Sequence, residues 1–257
     1  MKRHSGVSSG LVWAIQGLLL ATALVAWESA GRLNRQAHFY FSKPTSIFMR
    51  MWEWLSSGEI WSHMALTLWE TVLGFLVGVV LGLVLAFVCY YSPLTERVLL
   101  PFFTLANAVP RVILGPIFIL WFGLGVASKV ALGISLILFI VFFSTFQGLK
   151  EVDPSLIYKV RLLGGSERDV MRYVLLPSAL VWVFTSLRTS VGFALVGAVV
   201  GEYMGSAKGM GHLIQFAEGM FDATGVFAGL MMLSLMVLVM NLGLERLEAR
   251  FTAWQLR

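Results

Sequence analysis

Two arginines stand where charge is expensive. Arg111 interrupts the apolar run 98–128, and Arg188 interrupts the run 173–201. On insertion scales a charge at mid-bilayer depth costs about 2.5–3.5 kcal/mol, so each must face a bundle interior or water. A guanidinium presents a planar fork of donors that suits an oxyanion. Two readings are open for the pair. In one, both line the path of a small anion. In the other they are structural: Arg188 meets Glu202 or backbone carbonyls, and Arg111 snorkels to the interface. Glu70 and Glu202 lie nearer the ends of the apolar runs. No other reactive groups converge. Cys89 is the only cysteine, and His4, His38, His63 and His212 are scattered, so neither a disulfide nor a metal-ligand spacing is present. Serine, histidine and aspartate form no recognisable catalytic motif, and the sequence contains no Gly-x-x-x-x-Gly-Lys-Ser/Thr phosphate loop. The expectation is a non-catalytic chain that binds no metal and no cofactor of its own.

Composition decides what positions these residues. Of 257 residues 58% are hydrophobic and only 13% charged, and the mean hydropathy is +0.82. A water-facing domain carries about a quarter charged residues. The lipid bilayer is the solvent that fits. The net charge of +5 is spread between apolar runs, which sets orientation in membranes and is no sign of nucleic-acid binding.

Charge-poor windows predict six transmembrane helices, at 11–27, 71–95, 98–128, 130–149, 173–201 and 223–244. The runs are continuous rather than alternating, which excludes a barrel. The first follows a basic start and reads as an uncleaved helix rather than a signal peptide. The fold class is therefore all-α and polytopic. With both termini in the cytoplasm, Lys2, Arg3, Arg97, Lys150, Lys159, Arg161, Arg168, Arg172, Arg246, Arg250 and Arg257 lie inside. Arg32, Arg35, Lys43, Arg50, Lys129 and Lys208 lie outside. That bias favours this orientation. Three segments result: 1–63, a helix with an extracytoplasmic amphipathic connector; 64–250, the main membrane domain; and 251–257, a cytoplasmic tail. In the connector Ile47, Met51, Trp54 and Leu55 recur at helical spacing, as in an interfacial helix or a packed link.

Within the spans, Gly74, Gly78 and Gly82 put small residues on one helical face, where another backbone can approach. Pro101, Pro110 and Pro116 break the third span. Such broken helices sit against protein or a wet cavity, so Pro110, Pro116 and Arg111, with Arg188 and Glu202, are the candidate path residues.

The cytoplasmic loop 150–177 reads as two short helices joined by glycines. Asp153 caps the first, with Pro154 at its first position, and Gly164 ends it in a left-handed conformation. Ser166 and Asp169 have the spacing of a capping box for the second, and Pro177 marks the start of the fifth span. Leu156, Val160 and Leu163 form one stripe on the first helix. A short amphipathic helix is marginal alone. Either the chain's own membrane domain covers the stripe or a partner's groove does.

Residues 153–177 resemble the EAA loop of binding-protein-dependent ABC importer permeases, with Gly164 at the family's glycine and Val174 to Pro177 at its hydrophobic-Leu-Pro ending. Tyr158-Lys159-Val160 stands where that family has Glu-Ala-Ala. The sequence from Pro116 to Gly123 is similar to the sulfonate, nitrate and taurine branch. So are Leu187-Arg188 with Gly192, the stretch from Gly197 to Glu202, and the Gly205, Gly209, Gly211 cluster with Leu213-Ile214. The similarity spans most of 64–250. It implies a type I importer permease in a bacterial inner membrane, with Asp153, Leu156, Tyr158, Lys159, Val160, Leu163, Gly164 and Pro177 in an ATPase-coupling loop. The implied partners are two cytoplasmic ABC ATPases that hold ATP and Mg, an extracytoplasmic solute-binding protein, and a second permease of identical sequence. The cargo is expected to be a small anion such as a sulfonate, taurine or nitrate. The alternative is a secondary transporter or channel that needs no ATPase.

Overall fold

A computed structural model describes residues 9–251. Lys2, Arg3, His4 and Arg257 lie outside the described residues, as do the tail beyond Phe251 and the Arg250 side chain. All regular elements among the described residues are helical. The chain forms two compact units. One takes the residues up to Ile60 together with Leu213–Met232, and the other takes Trp61–His212 and the residues from Leu233 on.

The first unit is built on α1 (Ser9–Leu33), whose apolar stretch is exposed on all sides. Asn34 then caps α2 (Arg35–Phe41), its side-chain oxygen accepting from the Gln36 N–H at 2.8 Å. Lys43 provides no cap for α3 (Pro44–Ser57). Glu28 of α1 does so instead, accepting from the Thr45 N–H at 3.1 Å and its hydroxyl at 2.9 Å. The connector of the sequence reading is therefore two helices. Ile47 is buried, and Met51, Trp54 and Leu55 are half-buried behind it, whereas Phe48, Met49 and Trp52 face outward. Arg50 pairs with Asp222 at 2.7 Å.

The second unit is built around helix–helix contact. α4 (Glu59–Tyr91) begins twelve residues before the charge-free window that opens at Thr71. That window closes at Glu70 because a carboxylate reads as a helix boundary, but here Glu70 is buried. The glycine face of α4 lies on α7 (Val126–Lys150). A Cβ on Gly74 would touch the Gly133 backbone at 3.5 Å, one on Gly78 would press Ile137 at 3.0 Å, and one on Gly82 would meet the Leu138 carbonyl at 2.7 Å. The opposite side of Gly133 meets α10 (Leu176–Met204), where a Cβ on Gly197 would lie 2.5 Å from the Gly133 Cα. Ridges of small residues let three backbones pack this closely without a hydrophobic drive.

The third span is broken, as its prolines predict, and the fifth begins further back in the chain than expected. The third is broken into α5 (Pro93–Ala108), a 3-10 turn (Arg111–Leu114) and α6 (Gly115–Phe122), bent by 89°. The cause is Pro110, which has no N–H to give and forces Val109 into an extended conformation (φ −72°, ψ 129°). The fifth span absorbs the second short helix of the loop. Beyond α8 (Pro154–Leu162), α9 (Glu167–Val170) passes through a π-turn (Met171–Leu175) straight into α10. Pro177 cannot bond back to Tyr173, and the wider turn accommodates the missing donor. α11 (Met210–Gly219) and α12 (Ala223–Phe251) complete the chain. Five helices are long and apolar enough to cross a membrane, and the bent pair makes a sixth.

The packing predicts a contrast between two glycines of α10. Gly197→Ala drives a methyl into backbone and should cost about 1–3 kcal/mol, the usual penalty of overpacking. Gly192→Ala meets nothing within 4 Å and should be neutral or slightly stabilising. Thermal unfolding in detergent, followed by tryptophan fluorescence, distinguishes them.

Candidate functional site

The break after α5 puts Arg111 at the first position of the 3-10 turn, capped by Pro110, with Pro116 opening α6. The guanidinium donates to the side-chain and backbone oxygens of Asn107, the latter at 3.3 Å, and to the Leu136 carbonyl at 3.5 Å. It stacks over Phe139 of α7, 4.5 Å from the ring centroid. Among the described residues it has no carboxylate partner. One turn back along α5 from Asn107, Thr104 borders an open groove of about 530 Å3 shared by α5, α7 and α10. Its polar lining is Thr104, Ser144 and Gln147, and Trp182 and Phe143 form apolar walls.

Arg188 does not join this groove's lining. It pairs with Glu248 of α12 at 2.7 Å. The pairing with Glu202 that the sequence allowed does not occur. Fourteen residues separate the two on one helix, about 21 Å of rise.

Glu202 is fully buried in a polar node that sequence reasoning missed. One carboxylate oxygen accepts from the Thr67 hydroxyl of α4 at 2.6 Å and the other from the Gly211 N–H at 2.8 Å. The Thr67 oxygen in turn accepts from the Met210 N–H at 2.8 Å. His63 Nδ1, one turn earlier, sits 3.1 Å from the Gly209 N–H. Gly209 has φ +112°, and a side chain there would collide with the Glu202 carboxyl. Lys129, read as an exterior cation, is buried in the first turn of α7 and donates to the carbonyls of Leu124 and Gly205, the latter at 2.9 Å. Glu70 is buried within electrostatic reach of both Glu202 and Lys129. The available signal was the spacing of Thr67, Glu70 and Thr71, polar residues on one face of an otherwise apolar helix.

The loop is organised by its caps. Asp153 accepts from the Ser155 N–H at 2.8 Å, and that bond holds its carboxyl below the ordinary aspartate range. Gly164 ends α8 with φ +81°. Ser166 and Asp169 form a reciprocal capping box. The proposed stripe is divided. Val160 and its neighbour Ile157 pack onto the cluster of Leu149, Val152, Val170, Val174, Leu175 and Ala179. Leu156 and Leu163 face outward together with Tyr158, Lys159 and Leu162. Residues 157 and 160 share the covered side and 155, 159 and 162 lie opposite, while Leu156 and Leu163 share the stripe of Val160 but stay uncovered.

Comparison with known proteins places this geometry. Residues 78–253 match the family described as binding-protein-dependent transport system inner membrane component. The SsuC permease of Bacillus subtilis, provisionally named for aliphatic sulfonate transport, is 32% identical over 94% of this chain and 88% of its own. The formylaminopyrimidine transport permease ThiX of Halalkalibacterium halodurans is 31% identical over 93% and 94%. The taurine transport permease TauC of Escherichia coli is 28% identical over 91% and 87%. Among solved structures, an inward-facing MetNI methionine ABC transporter shares the fold, with a TM-score of 0.60 at 20% identity over 77% of this chain and 96% of that one.

Two outcomes follow from these bonds. Thr67→Val leaves a buried carboxylate oxygen and the Met210 N–H unpaired and should cost about 1–3 kcal/mol for each, whereas Thr67→Ser restores both; thermal unfolding in detergent reads the difference. Asp153→Ala should weaken the start of α8 by removing its cap. Because the folded-state carboxyl lies lower than in the unfolded chain, the cap is fully present at neutral pH. It is lost only as pH falls through that depressed value, below the ordinary aspartate pKa of about 3.9. Amide exchange at Ser155 and Leu156 reports both changes.

Proposed function

The chain belongs to the inner-membrane components of binding-protein-dependent transport systems, and from that premise we propose that it conducts a small anion, working as one of two identical copies. Membership sets the coarse activity. The chain is a multi-pass inner-membrane permease of an ABC importer, it is non-catalytic, and it acts with a binding protein and with ATPase subunits on separate chains. A carrier or channel independent of an ATPase is therefore set aside.

The observation that carries the anion reading is Arg111. A cation without a carboxylate partner among the described residues sits at the break of the third span, held by neutral oxygens of Asn107 and Leu136 and stacked on Phe139. Its amide and carbonyl contacts orient the guanidinium but leave its charge uncompensated, which favours an oxyanion. Relatives named for sulfonates and for taurine support a sulfonate-like cargo. The open side of the groove calls for cover by a second copy, since Thr104 and Gln147 are poorly placed against hydrocarbon. Arg188, held by Glu248, braces α10 against α12 beside that path. Below, the loop from Asp153 to Pro177 serves as the ATPase dock. Val160 anchors it to the membrane domain, and Leu156, Tyr158, Lys159 and Leu163 face the ATPase. Both termini lie in the cytoplasm, as the basic residues direct. ATP, bound with Mg on the ATPases, draws the two docks together and turns the path outward, and hydrolysis resets it.

Arg111→Gln should lower sulfonate or taurine uptake into proteoliposomes about ten- to a hundredfold, equivalent to one charge-assisted hydrogen bond of about 1.5–3 kcal/mol, with ATPase assembly intact. Unchanged uptake by a folded variant would remove the anion path. Gly164→Asp forces a side chain onto a left-handed residue and should abolish ATPase recovery in a detergent pull-down while leaving the membrane domain folded.

A further inference from the structure

The acids of the coupling loop are all engaged within the chain, and its central outward cation is not. Glu96 holds Lys150 at 2.8 Å, and Glu167 holds Arg161 at 2.8 Å. Glu151 accepts from Gln147 at 2.9 Å. Asp153 caps α8 through the Ser155 N–H, and Asp169 accepts from Ser166 in the capping box. Lys159 forms no ion pair among the described residues; Asp153 reaches it only through its field. Its place on α8 matters as much. Ile157 and Val160 turn inward, so Lys159 lies between Leu162 and Leu163, which are 85% and 89% exposed, with Tyr158 at the flank. An ammonium centred in an apolar knob loses its water when the knob is covered. An uncompensated charge then opposes docking, and a facing carboxylate reverses the sign.

We infer that the ATPase groove receiving α8 has an apolar floor and presents a carboxylate to Lys159, so that this permease selects its ATPase by charge. The inference rests on the reading of this loop as the ATPase dock. In the triplet where the family has Glu-Ala-Ala, Tyr158 stands at the glutamate and Lys159 at the first alanine, so this loop offers a cation there and no carboxylate. A groove that presents a cation to the outward side of α8 would be rejected by like-charge contact with Lys159, which is discrimination by repulsion as well as attraction.

The test uses the assembled transporter, purified in detergent through a tag on this chain, with the ATPase identified by its phosphate-loop peptide. A zero-length carbodiimide joins an amine to a carboxylate in direct contact. Peptide sequencing should find Lys159 linked to an aspartate or glutamate of the ATPase. Lys159→Arg should keep the complex but lose the link, because a guanidinium does not react. Lys159→Glu should lower ATPase recovery by about tenfold or more at low salt, and a carboxylate-to-lysine change at the linked ATPase residue should restore it. Leu162→Asp separates the two levels of the argument. If it abolishes ATPase binding while Lys159 stays open to acetic anhydride in the wild-type complex and Lys159→Glu assembles normally, the dock stands and the carboxylate partner is refuted. If Leu162→Asp and Lys159→Glu both leave assembly intact, the dock is misplaced and the inference falls with it.

Discussion

The backbone of α7 at Gly133 is pressed from both sides, by Gly74 of α4 and Gly197 of α10, and the second unit is arranged around that contact. Helices in a bilayer gain little from the hydrophobic effect, so close backbone approach must supply the attraction. Once three axes meet at Gly133, the register of all three is set. Lys129 lies one turn from Gly133 and meets Gly201 of α10. Leu136 and Phe139 lie one and two turns the other way, where Arg111 finds its carbonyl and its ring.

Charge inside this packing is divided between two kinds of place. Glu202, Glu70 and Lys129 are enclosed, and the hydrogen bonds of Lys129, Glu202 and the adjoining Thr67 run to the loop ends at Leu124, Gly205, Met210 and Gly211. Such groups fasten the connections between helices, because breaking one bond leaves a buried partner unsatisfied. Arg111 is the contrary case. Its contacts are the neutral oxygens of Asn107 and Leu136 and the Phe139 ring, and no carboxylate among the described residues pairs with it.

The coupling loop follows a similar division at smaller scale. The inward half of α8 completes the cluster under Leu149 and Val170, and the outward half stays apolar and basic. The π-turn joins this module to α10 without a flexible joint.

Much of this was legible from residue types alone. Apolar runs gave the spans because length and hydropathy are local properties. The caps at Asp153 and Ser166, the left-handed Gly164 and the glycine face of α4 were equally readable, since each depends on residues within a turn or two. Charge was the misleading signal. Glu70 closed a window that the helix runs through, Lys129 was counted with the loop cations although its side chain is buried, and Arg188 was allowed a partner 14 positions away on its own helix. Whether a charge ends a span or is enclosed in one depends on what lies across from it, and that is decided by contacts distant in sequence. The sequence by itself therefore determined which segments are helices and where they cap, break and face small residues. Only the tertiary structure decided which charges are buried, which are paired and which are left with neutral partners, because pairing is a property of neighbouring helices and not of any one of them.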